Sequence, residues 1–287
     1  MKILYLANFD LPDFQSDMIF HGLRSLFGEE VVDVNEAWYM LENFRNYWTD
    51  RIPEQGMSYG RGFTLYGRLP NLIIDRTDIE KKIELKYFDK IVYGSLRRYH
   101  PFLNKIAHYD TKDIIMIDGE DDQDVNQYSW ISSYGTLYKR ELIPKDIHLA
   151  KPLNFCIPKE LIVNNVPKKE KDYATIIPND KNTYIYTEEK PYFEDYQKSY
   201  FGVTCKKGGF DCLRHYEILM NGCIPFFPDL SEVPETTMTR FPKKIVLDAM
   251  EKIKKGNDLS FYEEYVTLLL DWTRKNLTTE EVAKSIL

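Results

Sequence analysis

The stretch Tyr200–Phe227, YFGVTCKKGGFDCLRHYEILMNGCIPFF, reads as a strand, a glycine turn, a short helix and a second strand. YFGVTC has the apolar and β-branched content of a buried strand, and CIPFF reads as another. Between them, Asp211 suits the N-cap of a helix and Gly222 its stop. A helix N-terminus presents unpaired N–H groups and the positive end of the helix dipole, which together attract phosphate. Gly208 and Gly209 leave room for a phosphate to approach the backbone, because no side chain stands in the way. Lys206 and Lys207 add positive charge beside them. Arg214, one turn inside the helix, is placed to hold phosphate oxygens in its fork. Glu217 follows at i+3 on the same face, where a carboxylate suits ribose hydroxyls. The same Arg-x-x-Glu spacing also describes a solvated ion pair contributing about 0.2–0.5 kcal/mol. It is the combination of strand, Gly-Gly turn, capped helix and second strand that points to a phosphate site.

Outward from this stretch the chain keeps alternating strands and helices. KILYLANF reads as a first strand, Met18–Phe27 as a helix ending at Gly28, and VVDVN as a second strand. That βαβ opening starts a parallel α/β layer. Residues 36–80 are aromatic, charged and broken by Gly56, Gly60, Gly62 and Gly67, and read as a loop-rich insertion. FDKIVYGS is a third strand, HPFLNKIAHY a helix, and DIIMID a fourth strand that runs into the acidic loop DGEDDQD. IHLAKPLNFCI reads as an extended strand, and PKELIVNNVPKKEKD as a linker centred near residue 165. YATIIP and TYIYT read as strands, YFEDYQKS as a helix, and the tail from Ser260 as helical, with Thr279-Glu280-Glu281 at a cap.

The composition excludes several classes. No run of 18 apolar residues occurs, so no membrane-spanning helix is expected. MKILYLANFDLPDF is too short in apolar content for a signal peptide, and a cytosolic setting is expected. Cys156, Cys205, Cys212 and Cys223 form no C-x-x-C pair, and the five histidines form no paired-ligand pattern. Neither a disulfide framework nor a zinc site is expected, and no metal is assigned. The net charge of −7, with cations and acids interleaved, argues against a nucleic-acid partner.

CLRHYEILMNGCIPFF resembles the donor-binding signature of GT-B glycosyltransferases, above all the exostosin-like ones, whose pattern is R-x-x-E-x-x-x-x-G-C-I-P. The R-x-x-E also resembles that of phage DNA β-glucosyltransferases. The resemblance implies that Glu217 binds the nucleotide ribose and Arg214 the diphosphate. RKNLTTEEVAKSIL is similar to the closing helix of such enzymes, which crosses back onto the first domain. Many retaining relatives carry a second Glu eight residues before the ribose-binding one. Gly209 stands there in this chain. The match covers chiefly 199–228 and 274–287.

The expected architecture is therefore α/β, two Rossmann-like units facing a cleft, the second one trimmed. Residues 1–160 would form an acceptor-side domain, 161–259 a nucleotide-sugar-binding domain, and 260–287 a helix returning to the first. The expected activity is sugar transfer from a nucleoside-diphosphate sugar, UDP-sugar favoured, to a hydroxyl of a glycan or similar acceptor. Transfer with inversion needs a base near the acceptor. Asp118, at a strand end where open α/β sheets bind ligands, is the candidate, with His21 and Glu120 behind it. Lys206, Gly208, Gly209, Arg214 and Glu217 make up the donor site. A solvated acidic loop is the competing reading of Asp118–Asp122. A catalytically idle nucleotide-sugar or glycan binder, or a DNA-modifying glucosyltransferase, remain alternatives for the whole chain.

Overall fold

The computed structural model describes residues 1–10, 12–47, 64–125, 130–254 and 259–287. Gly56, Gly60 and Gly62 of the expected insertion lie outside them. Two parallel sheets form the frame. The first has six strands in the order β2-β1-β3-β4-β5-β6. These are β1 Ile3–Leu6, β2 Val31–Asp33, β3 Lys90–Tyr93, β4 Ile114–Asp118, β5 Thr136–Lys139 and β6 Lys151–Pro152. The second has three, β7 Lys171–Tyr173, β8 Ser199–Val203 and β9 Ile224–Phe226, in sequence order. The chain is thus an α/β protein with two parallel units, the second one small.

Strand periodicity divides the first unit's core. Ile3 and Tyr5 face one side of the sheet, Leu4 and Leu6 the other, as a period of two requires. The first side is covered by α1 (Phe14–Phe27), and its core runs without a break into the second unit. The other side holds Ile79 and Ile83 of α2 (Ile79–Glu84). In the second unit, α3 (Glu189–Gln197) joins β7 to β8 and α4 (Leu213–Met220) joins β8 to β9. Gly202 lets α4 lie close on β8, since a Cβ there would meet the Ile218 side chain at 2.8 Å. Gly222 ends α4 with φ +62, and Cys223 N–H reaches back to Ile218 O at 3.2 Å, a left-handed closure that favours glycine. Helices α5 (Lys243–Lys254), α6 (Tyr262–Asn276) and α7 (Thr279–Ile286) complete the chain. Helix α7 lies against α1: Gly22 faces the Thr279 carbonyl with no room for a Cβ, and Val282, Ala283 and Ile286 are buried.

Several expected elements differ. His100–Tyr109 forms turns, not a helix; Phe102 takes a left-handed φ of 61, which breaks the first turn. Its apolar spacing is used all the same, with Ile106 and Tyr109 buried under the sheet. Of the expected strand over 147–157, Lys151–Pro152 pairs at the sheet edge with β5, and Ile157 instead bridges Thr278 near the start of the last helix. Residues 183–187 belong to no strand, and β7 begins before YATIIP. β5 and α5 had no counterpart in the sequence reading. Among the described residues no helix is long and apolar enough to cross a membrane. The four cysteines are free thiols, Cys156 and Cys223 buried.

Candidate functional site

The loop entering α4 is where the two units meet. Gly208 abuts Asp121 and Gly209 abuts Glu141, so that a Cβ at either would collide with a carboxylate of the first unit. Glu141, buried just past β5, accepts from Phe210 N–H at 3.0 Å and Asp211 N–H at 2.8 Å. Beside it, Arg140 is 2% exposed and donates to Gly119 O at 2.9 Å and Glu141 Oε1 at 3.0 Å. It also bonds Asp211 O and the Asp121 carboxylate. The glycine pair, expected to leave room for phosphate, admits two carboxylates of the first unit on its Cβ side. Asp211 does not cap α4. Its carboxylate accepts from Phe155 N–H at 2.8 Å and Tyr216 O–H at 2.7 Å, and Cys212 is the N-cap without a side-chain bond. Burial pushes Asp211 up to about 6, with Arg140 opposing.

Among the described residues, Lys207 and Arg214 have no carboxylate within salt-bridge distance. Lys207 Nζ donates to Asn179 Oδ1 at 2.7 Å and lies 3.4 Å from Tyr184 Oη. Arg214 Nη2 lies 3.4 Å from the same oxygen, and its guanidinium sits over the Tyr184 ring. Arg214 Nε is buried with no hydrogen-bond partner among the described residues. Leaving such a donor unsatisfied costs about 1–3 kcal/mol. Lys206 extends over the Phe210 ring at 4.3 Å. Two cations thus converge on one phenol oxygen.

Glu217 is 7% exposed and faces the same way as Arg214. Its Oε1 accepts from Thr64 O–H at 2.5 Å and its Oε2 from the Tyr192 phenol. Burial pushes its pKa up, against the bonds from Thr64 and Tyr192 and the nearby Arg214 charge. Arg214 and Glu217 do not form the solvated ion pair that their spacing permits.

Asp118 sits elsewhere and does other work. It is 2% exposed, and its Oδ2 takes both Arg97 Nε at 3.0 Å and Nη2 at 2.8 Å. Lys139 Nζ, fully buried, lies 3.2 Å from the same oxygen. Burial pushes the Lys139 ammonium down, while Asp118 holds it up. Asp118, the expected base, is thus held between two cations. Glu120 is tied to Arg98 at 2.8 Å. His21 is buried between α1 and α7, its Nδ1 2.9 Å from Thr279 Oγ1 and Nε2 3.4 Å from Glu160, away from this cluster.

Sequence reasoning missed Asp13. Sheet order reverses between β1 and β3, the switch point at which open α/β sheets form their crevice. Asp13 bridges it, accepting from Ser95 O–H at 3.0 Å and capping α1 through Ser16 N–H at 3.3 Å. Burial raises its pKa, with Arg98 opposing. Glu141, Tyr184 and Tyr192 were missed as well. Only the apolar run before Asp13 gave a signal, since it marks a strand end. Among the described residues no group of His, Cys, Asp and Glu is arranged to hold a metal ion.

No family model matches the chain, and no curated protein matches it. Among solved structures, the chain is similar to one described as the crystal structure of GtfA/B complex, with 10% identity and a TM-score of 0.37. That alignment covers 82% of this chain and 63% of the other, so the chain spans less than two thirds of its length.

Proposed function

We propose that the chain is a glycosyltransferase that takes its sugar from a nucleoside-diphosphate donor, UDP-linked in the first instance. The observation that carries this is the pair Lys207 and Arg214, converging on Tyr184 without a carboxylate, with an unpartnered buried Nε on Arg214. A diphosphate supplies the missing negative charge and accepts that proton. Glu217, one turn further along the same face, then meets the ribose. The resemblance of Arg214–Pro225 to the R-x-x-E-x4-G-C-I-P signature supports the same roles.

In this proposal the cations also stabilise the diphosphate as it leaves, where charge develops in the transition state. Gly208 and Gly209 contribute by letting the two units close on each other, and Lys206 by its charge at the loop. The acceptor, a glycan or other hydroxyl compound, approaches from the first unit. Asp13 is the base this arrangement favours, because it lies at the switch point and burial raises its pKa. The occupied state of Asp118 favours one further reading, a chain that binds nucleotide sugar without transferring it. A thermal-shift panel of UDP, ADP, GDP and CDP tests binding, since a ligand of the folded state alone must raise Tm. Release of labelled sugar from the stabilising donor then separates enzyme from binder. No shift with any diphosphate would overturn the proposal.

A further inference from the structure

Thr64 belongs to the first unit, yet its hydroxyl is fully buried against Glu217 of the second, at 2.5 Å. Its segment is fixed to its own unit through Gly67 N–H to Tyr39 O at 3.1 Å and Leu69 N–H to Met40 O at 2.8 Å. It is fixed to the other unit through Thr64–Glu217 and through Arg68, which pairs with Glu189 at the start of α3. Glu217 Oε2 is taken by Tyr192 from within the second unit, so Oε1 is the oxygen turned to the first. A neutral O–H donated to a buried carboxylate is the contact that a ribose hydroxyl would make.

We infer that Thr64 is a built-in occupant of the hydroxyl-recognition point on Glu217, and that a ligand diol binds there by displacing it. This rests on the nucleotide-binding reading above. Ligand binding and release of the strap 64–69 are then one event: the diol takes the hydrogen bond that Thr64 gives up, and the contact between the units loosens. Ligand affinity is reduced by the fraction of molecules in which Thr64 holds Glu217.

Calorimetry with UDP and with its 2′,3′-dideoxy analogue tests this. Thr64→Val keeps the shape and removes the donor; it should bind UDP on the order of tenfold more tightly, the worth of a hydrogen bond to a charged group. The dideoxy analogue, which has no diol to exchange, should bind wild type and variant alike. Thr64→Ser, which keeps the hydroxyl, should match wild type. If Thr64→Val does not fold, Arg68→Gln loosens the same strap without touching Glu217 and should shift UDP affinity in the same direction. Wild type that binds UDP while neither variant gains affinity would overturn the exchange alone. Equal gains for UDP and the dideoxy compound would also overturn it. Wild type that binds no diphosphate would overturn the nucleotide reading and the exchange with it.

Discussion

His215 Nε2 donates to the carbonyl oxygen of Phe210 at 2.8 Å, so the first turn of α4 holds the loop that leads into it. Its Nδ1 accepts from Thr204 O–H at 2.8 Å, and the ring stacks on Phe227. Both nitrogens are satisfied by the neutral ring, which burial favours. Burial pushes its pKa down to about 3, against the Phe210 carbonyl that favours the charged form.

That depression has a sign. The unfolded chain takes up this proton near pH 6.5, the folded chain only near 3, so the stability His215 contributes is present above 6.5 and lost as pH falls. The loss amounts to about 1.4 kcal/mol per pH unit within that window. Asp211, raised to about 6, acts the other way; its contribution is present below its unfolded value and lost as pH rises through 6. His215→Gln should therefore show a shallower acid decline than wild type in urea titrations between pH 6 and 4. Parallel profiles would exclude His215 as the source.

The glycine pair should prove unequal. A Cβ at Gly209 meets Glu141, which is buried and held by two backbone N–H groups, whereas one at Gly208 meets the exposed end of Asp121. Gly209→Ala is expected to cost about 1–3 kcal/mol of stability, as overpacking does. Gly208→Ala should cost clearly less. Chemical denaturation of the two variants decides the point.

For the anion site, Arg214→Lys is the informative change, because an ammonium does not reproduce a guanidinium fork on a diphosphate. UDP binding should weaken, while uridine, without phosphates, should bind about as before. Glu217→Gln should weaken both, by about 1.5–3 kcal/mol, through loss of a charged acceptor. Unchanged UDP affinity in either variant would leave these residues with a structural role only.

Asp118 and Asp13 should separate stability from chemistry. Asp118→Asn leaves Arg97 and Lys139 with the half-exposed Asp122 as their shared counter-charge and is expected to cost about 1–3 kcal/mol of stability. Asp13→Asn keeps the cap on α1 and should leave UDP binding near normal. Sugar transfer should drop by about 10²–10⁴-fold. Stable, inactive Asp118→Asn with active Asp13→Asn would reverse the two assignments.

The parts legible in the sequence are those decided locally. β8, α4 and β9 follow from apolar runs, a glycine stop and strand length, all within 30 residues of each other. The opening βαβ unit and the helical tail follow from periodicity in the same way. What could not be read is what distant segments do to each other. DGEDDQD looks like a solvated acidic loop or a base, until Arg97 and Lys139, brought in by β3 and β5, convert Asp118 into a counter-ion. Gly208-Gly209 looks like a phosphate turn because nothing local says that Asp121 and Glu141 will fill it. β5 escaped notice because TLYK ends in a Lys and runs into Arg140 and Glu141, charges that a strand buries only when partners arrive from elsewhere.

The seat of α7 on α1 sets an order of assembly. Thr279 lies 258 residues from the His21 it touches, so this face of the first unit is sealed by a segment distant in the chain. Until that segment docks, the groove that receives Val282, Ala283 and Ile286 has no cover, and a partly folded chain exposes that apolar surface. Contacts of such long range also slow folding, because loop closure precedes any gain from burial.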